Sequence, residues 1–256
     1  EKHLYWGTRF MASDDSFYRP PGSALDLPSE GSRRSLDDAV NGRFEFDISE
    51  TLSEAWALTS GSKAVILGAV AIMLAVSIVN AVISGVAETS DSVLLSVISI
   101  LIGLAANAII YSLNAGVFLY AIKRAAGDQS AAFDDVLSGF GIIVPVFLLT
   151  MLSGILVVLG MFLFILPGIY LLVGYSLALP LKAERGLGIW DCLETSRKAI
   201  TTNWFKFFAF NVSLGLLVLI GSALSLGIGL IWLIPFWALS MGILYRQVFG
   251  YEPGPA

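Results

Sequence analysis

The chain has one histidine and one cysteine. The histidine is His3 and the cysteine is Cys192, far apart in sequence. A metal centre built on imidazole and thiolate needs several such ligands, so it lacks its donors here. A nucleophile–histidine–acid triad lacks its base, because the single imidazole lies in the amino-terminal tail. No glycine-rich loop ends in the Lys that a phosphate cradle requires. A single cysteine forms no internal disulfide. Basic residues interleaved with aromatics are also missing, which argues against nucleic acid as a partner. These absences point away from an enzyme and from any cofactor.

Charge is missing from long stretches. Apolar runs cover about 64–87, 92–122, 141–159, 161–181, 205–226 and 228–245. Each is near or above the ~20 residues that a helix needs to cross a hydrocarbon core of about 30 Å. A hydrophobic content of 56% and a mean hydropathy of +0.80 exceed what a soluble domain needs. Backbone groups in lipid must be satisfied internally, which favours helices. The runs do not alternate as barrel strands do. The expected fold class is all-α: a polytopic membrane bundle of six transmembrane helices. The links between runs one and two, three and four, and five and six carry no Lys or Arg. The cations sit in the tail, after run two (Lys123, Arg124), after run four (Lys182, Arg185, Arg197, Lys198, Lys206) and after run six (Arg246). The positive-inside rule then places both termini in the cytoplasm. Cys192 falls in a cytoplasmic stretch, where thiols stay reduced.

Residues 1–44 are rich in Ser, Pro, Gly and charge, and are expected to form a disordered cytoplasmic tail. No charged start leads directly into an apolar core and cleavage site, so no secretory signal is expected. Met11 is a candidate start, with residues 1–10 an upstream extension, and Tyr18-Arg19-Pro20-Pro21 with Ala24-Leu25 is a candidate docking element. The six-span domain is expected over 45–250, followed by a short cytoplasmic tail at 251–256. Asp47 and Glu50 resemble a capping box. Ile48, Leu52, Ala55 and Trp56 then share a helical face, and run one follows after Gly61. A second apolar stripe (Phe133, Val136, Leu137, Phe140) precedes run three. A third (Ile189, Leu193, Ile200, Trp204) precedes run five. The chain therefore reads as three interfacial-helix-plus-hairpin units, starting near 47, 133 and 189. Their polar faces carry mainly acids in the first two copies, which suits elbows packed on the bundle better than anchors for anionic lipid. Gly160 marks the expected turn between runs three and four, and Pro167 and Gly168 an expected kink early in span four.

No Asp, Glu, Lys, Arg or His is expected near the midplane, which lowers the case for proton-coupled transport. Asn107, Tyr111 and Asn114 share a face of run two, as a polar cavity lining or as a packing face. Asn80 and Asn211 complete the intramembrane amides. Gly221, Ser225 and Gly229 recur every four residues, a pattern that lets helices approach closely, more often within a chain than between chains. Trp56, Trp190, Trp204 and Trp232 fall where interfacial aromatics sit. Asp191, Glu194 and Arg197 form a polar helix face.

The run from Ile155 to Phe207, with Leu166-Pro167-Gly168-Ile169, Leu177-Ala178, Gly188, Leu193, Ser196, Arg197 and Asn203-Trp204, resembles the central block of the YciC-type bacterial inner-membrane proteins. These are related to the membrane domain of some glycerophosphoryl diester phosphodiesterases. The resemblance extends loosely over 45–248. It implies a six-span protein of the bacterial inner membrane with no catalytic residues, linked to envelope integrity. The phosphodiesterase relatives keep catalysis in a separate soluble domain, which this sequence does not contain. The expectation is a non-enzymatic scaffold or accessory subunit, with membrane lipids and a membrane protein as partners. The alternative is a transporter or channel for a lipid or small apolar solute.

Overall fold

The computed structural model describes residues 35–251. Its α-helices are α1 (Leu36–Val40), α2 (Ile48–Glu88), α3 (Val93–Ala125), α4 (Phe133–Ser138), α5 (Ile143–Leu163), α6 (Ile165–Gly174), α7 (Ala178–Arg185), α8 (Ile189–Thr201), α9 (Trp204–Leu224) and α10 (Leu230–Phe249). Six helical stretches are long and apolar enough to cross a membrane: α2, α3, α4 running into α5, α6 running into α7, α9 and α10. They pair as hairpins α2–α3, α5–α6 and α9–α10. The packing is inverted relative to a water-soluble protein. The most apolar window of α3 is 6% buried and that of α2 is 11%, whereas that of α10, the least apolar, is 61%. Apolar surface left outside on this scale belongs to a protein solvated by lipid. The chain is an all-α polytopic membrane bundle, as its composition predicts.

The core sits at one end, where the charged residues gather. Along α2 the side chains of Thr51, Ala55, Thr59, Ser62, Ile66 and Ala69 are buried at helical spacing, and the next buried residue is Ala87. In α3 burial becomes continuous only from Ala115 to Phe118 and from Tyr120 to Ile122. Helix α10 fills the angle between them. Thr51 lies 2.8 Å from Gln247, and Glu54 pairs with Arg246. Phe118 meets Trp237, and the Lys63 ammonium lies over the Trp232 ring. The backbone of Gly242 rests on Ala121, where a Cβ would lie 2.6 Å from the Ala121 carbonyl carbon. Small residues at such crossings let helices meet by van der Waals contact, which is what holds helices together in lipid. The three hairpins extend from this base toward thinly packed tips.

The three repeated units differ at the joint between elbow and span. In the first there is no joint. Asp47 caps the helix by accepting from the Glu50 amide at 2.9 Å, and α2 runs unbroken through Gly61 for 41 residues. A single interior glycine costs only about 1 kcal/mol and no proline follows, so the expected boundary after Gly61 is absent. In the second, a 3-10 turn at Gly139–Ile142 links α4 to α5. Gly139 crosses α3 so closely that a Cβ would collide with the Ser112 carbonyl. In the third, Thr202 and Asn203 separate α8 from α9 fully.

Three expected boundaries move. The turn after α5 is at Phe164, whose φ of −160° and ψ of 143° are extended, and Gly160 lies inside α5. Gly160 instead serves close approach: a Cβ there would lie 3.1 Å from the Gly168 Cα across the hairpin. Pro167 falls in the first turn of α6, where its missing N–H is one of those left free anyway, so it starts the helix rather than kinking it. The break in span four comes after Gly174, at residues 175–177. The proline inside a helix is Pro235 of α10, which deprives the Ile231 carbonyl of its donor. Finally, folded structure begins before residue 45. Ser35 caps α1, and Phe44 and Phe46 are buried against Phe207 and Phe210. Isolated aromatics in a polar stretch give no periodicity, which is why this segment reads as tail. Tyr251 also belongs to the packed body, donating to Asp128 at 3.1 Å. Residues 1–34 and 252–256, with Met11 and the Tyr18–Leu25 element, lie outside the described residues.

Candidate functional site

Asn107, Tyr111 and Asn114 all lie on α3. Asn107 donates to the Gly103 carbonyl at 2.8 Å and Asn114 to the Ile110 carbonyl at 3.0 Å, each one turn back on its own helix. Asn211 does the same with Phe207 at 2.9 Å. An amide in hydrocarbon that bonds its own backbone is satisfied without a partner helix. Of the three, Tyr111 and Asn114 reach other helices: the Tyr111 ring lies 6.3 Å from Phe147 of α5, and Asn114 approaches the Met73 sulfur of α2.

Asn80 behaves differently. Its Oδ1 is buried without a hydrogen-bond partner and faces Gly103 of α3. It borders an open apolar groove of about 360 Å³ between α2 and α3, walled by Ala75, Val79, Ala105 and Ala106 among others. A second groove of about 200 Å³ lies nearer the tip of the same hairpin, between Val82, Val86, Leu95 and Ile98. The amide is visible in the sequence, but the groove beside it depends on which helices pair.

Gly221, Ser225 and Gly229 form a turn stitch within one hairpin. Ser225 Oγ donates to the Gly221 carbonyl at 2.6 Å and accepts from the Gly229 amide at 2.8 Å. Gly221 faces Leu233 of the returning helix. The motif therefore closes the α9–α10 tip, where Leu226 takes a positive φ of 52° beside Gly227 at 87°.

The charged end is a set of ties between helices. Arg246 of α10 forks onto Glu54 of α2, with both N···O distances 2.8 Å, and donates to the Ala125 carbonyl that ends α3. Arg185 of α7 donates at 2.6 Å to the Phe249 carbonyl that ends α10. Beside it, Glu184 accepts from the Tyr245 hydroxyl at 2.7 Å. Lys123 pairs with Asp135 at 2.5 Å while Asp135 accepts from the Ala132 amide, capping α4. Lys182 donates to the Leu187 carbonyl at 2.6 Å. Cations placed on the free carbonyls of helix ends satisfy orphan acceptors and the negative end of the dipole together.

Outside the spans, Glu194 pairs with Arg197 at 2.9 Å and Lys198 at 3.3 Å. The Arg197 hydrogen bonds hold its carboxyl below the usual range. Arg197 also donates to the Tyr170 hydroxyl at 3.2 Å, and Tyr170 stacks on Trp204, tying α8 to α6 and α9. Asp191 of the expected polar face instead turns toward Gly188. Hydrogen bonds from Ser130 lower the Asp128 carboxyl, and burial raises the Tyr251 hydroxyl. Burial pushes the Cys192 thiol up to about 11.

The fold and these sites define a multi-pass membrane bundle whose charged end ties helices to one another. No protein-family model matches the chain, and no curated protein or solved structure matches it either.

Proposed function

We propose that this chain is a non-enzymatic scaffold or accessory subunit of the bacterial inner membrane, linked to envelope integrity and related to the YciC-type proteins. The observation that carries the reading is the charged end. Its arginines, lysines and carboxylates engage helix carbonyls, caps and each other, so their work is to fix helix ends at one base. The distribution of Lys and Arg supports a cytoplasmic base and cytoplasmic termini. The test is affinity purification from native membranes in nanodiscs, followed by mass spectrometry of intact complexes. A stoichiometric membrane-protein partner is the expected result. Isolation without any partner, together with turnover of a substrate by the purified chain, sinks the reading.

A second reading, passage of a lipid or small apolar solute, is favoured by the open grooves on the α2–α3 hairpin. Reconstitution into liposomes with fluorescent lipid in one leaflet checks it. Protein-dependent transbilayer movement supports transport, and movement equal to that of empty liposomes ends it.

A further inference from the structure

The two grooves on the α2–α3 hairpin lie on one line. Ala75 and Val79 of the inner groove become Val82 and Val86 of the outer one by a shift of seven residues. On α3, Ile102 and Ala105 become Leu95 and Ile98 by the same shift in reverse. Seven residues are two turns, so both grooves occupy the same face of the hairpin, one above the other. The twelve helical steps from Ala75 to Ala87 give the slot a length of about 18 Å along the helix axis. It runs from the middle of the apolar stretch to the hairpin tip, and its exposed wall is apolar. A narrow apolar slot with this direction matches one extended acyl chain entering from the leaflet at the tip.

The tip defines the headgroup. Glu88 and Asp91 are exposed there, next to Ser90 and Ser92. Neither acid makes an ion pair among the described residues. No Lys or Arg occurs anywhere in residues 64–122. A net anionic headgroup would meet only carboxylates and hydroxyls, whereas an ammonium group would find two carboxylate acceptors. We infer that the α2–α3 slot is a binding site for an ammonium-bearing glycerophospholipid, with one acyl chain along Ala75–Ala105 and Val82–Ile98 and the head amine at Glu88 and Asp91. The site stands whether or not the chain also serves a partner protein.

The test is native mass spectrometry of the full chain, purified in detergent and exposed to an equimolar mixture of ethanolamine, choline and glycerol phospholipids with identical acyl chains. The ethanolamine lipid is expected to be retained about five-fold over the glycerol lipid, the scale of one charge contact at a membrane surface. Ala75→Phe and Ala105→Phe fill the slot from its open side and are expected to remove retention. Leu216→Phe, on the open face of α9, keeps it. Thermal unfolding of each variant separates loss of the site from loss of the fold. Glu88→Gln with Asp91→Asn is expected to equalise the ethanolamine and glycerol lipids while one lipid is still held. Preference for the glycerol lipid, unchanged retention in folded Ala75→Phe and Ala105→Phe, or a second copy of the chain in place of lipid would each overturn the proposal.

Discussion

Gly116 and Gly242 illustrate how much rests on single atoms in a bundle held by close approach. A Cβ at Gly116 would run into the Val136 backbone, and one at Gly242 into Ala121. Neither neighbour is a side chain that can swing away. Gly154 and Gly215 have nothing within 4 Å, so a methyl there enters lipid. Gly116→Ala and Gly242→Ala are expected to destabilise by about 1–3 kcal/mol or more, while Gly154→Ala and Gly215→Ala gain up to ~1 kcal/mol of helix propensity. Thermal unfolding in detergent, followed by fluorescence-detected size exclusion, distinguishes the two pairs. Cys192 gives a second prediction at this scale. It is fully buried with a thiol pushed up to about 11, so little thiolate exists at neutral pH. Alkylation by iodoacetamide at pH 7.5 (an ordinary assay condition near ~1 pH unit below a free thiol) is expected to be slow in the folded chain and fast after denaturation. Equal rates would show that α8 opens readily.

Among the elements, helix ends decide the architecture. Arg246 serves the last carbonyl region of α3 and Glu54 of α2 at once, so Arg246→Ala removes two ties and leaves a carboxylate and a carbonyl behind. It is expected to cost about 2 kcal/mol, more than Glu54→Gln, which leaves the carbonyl contact in place. Chemical unfolding of the two variants in the same detergent makes the comparison. At α8 the sign of a pH effect follows from Glu194, whose folded carboxyl titrates below its unfolded value. Its contribution is present above the unfolded value, about 4.3, and is lost as pH falls through the folded one. The melting temperature should therefore drop between about pH 4.3 and the lower folded value, and Glu194→Gln should flatten that part of the curve. An identical slope in both proteins would remove the Glu194–Arg197 tie from the account.

The helix-end contacts also explain what was legible in the sequence. Long apolar runs and charge asymmetry specify six helices and their pairing into hairpins, because lipid leaves few other solutions. Breaks were harder to place. Gly61 resembles a boundary and is helix interior, whereas Phe164 resembles helix interior and is the turn. The turn is flanked by Leu163 and Ile165 with no Gly, Pro, Asn or Asp at the break, so the usual turn signals fail. The amides at Asn107 and Asn114 were visible as a face, but their satisfaction by their own backbone depends on rotamers that no spacing reveals. The partnerless Oδ1 of Asn80 is likewise a consequence of α3 passing at Gly103.

At the scale of the whole molecule, the base is built from both ends of the described chain. Phe44 and Phe46 lie against α9, the Lys206 ammonium sits 4.6 Å from the Phe46 ring centre, and Tyr251 reaches back to Asp128. Phe46→Ala is expected to cost about 3–5 kcal/mol, the range for a buried aromatic. Limited proteolysis should then cut near residue 44 without touching the hairpin tips. A variant as resistant as the parent would mean that this segment decorates the base rather than building it.

The α5–α6 turn carries a different consequence. Residues 154–169 contain no side chain that donates or accepts a conventional hydrogen bond, and Phe162, Leu163, Phe164, Ile165 and Leu166 all point outward. The α2–α3 tip, with Glu88 and Asp91, must stay at a wet surface. The α5–α6 tip has no such tie to water. A bilayer that thickens or thins therefore pulls on the first hairpin while the second floats free of it, so the two helix pairs register membrane thickness unequally. Strain between them is borne where they join, at the crossing of Gly139 and Ser112.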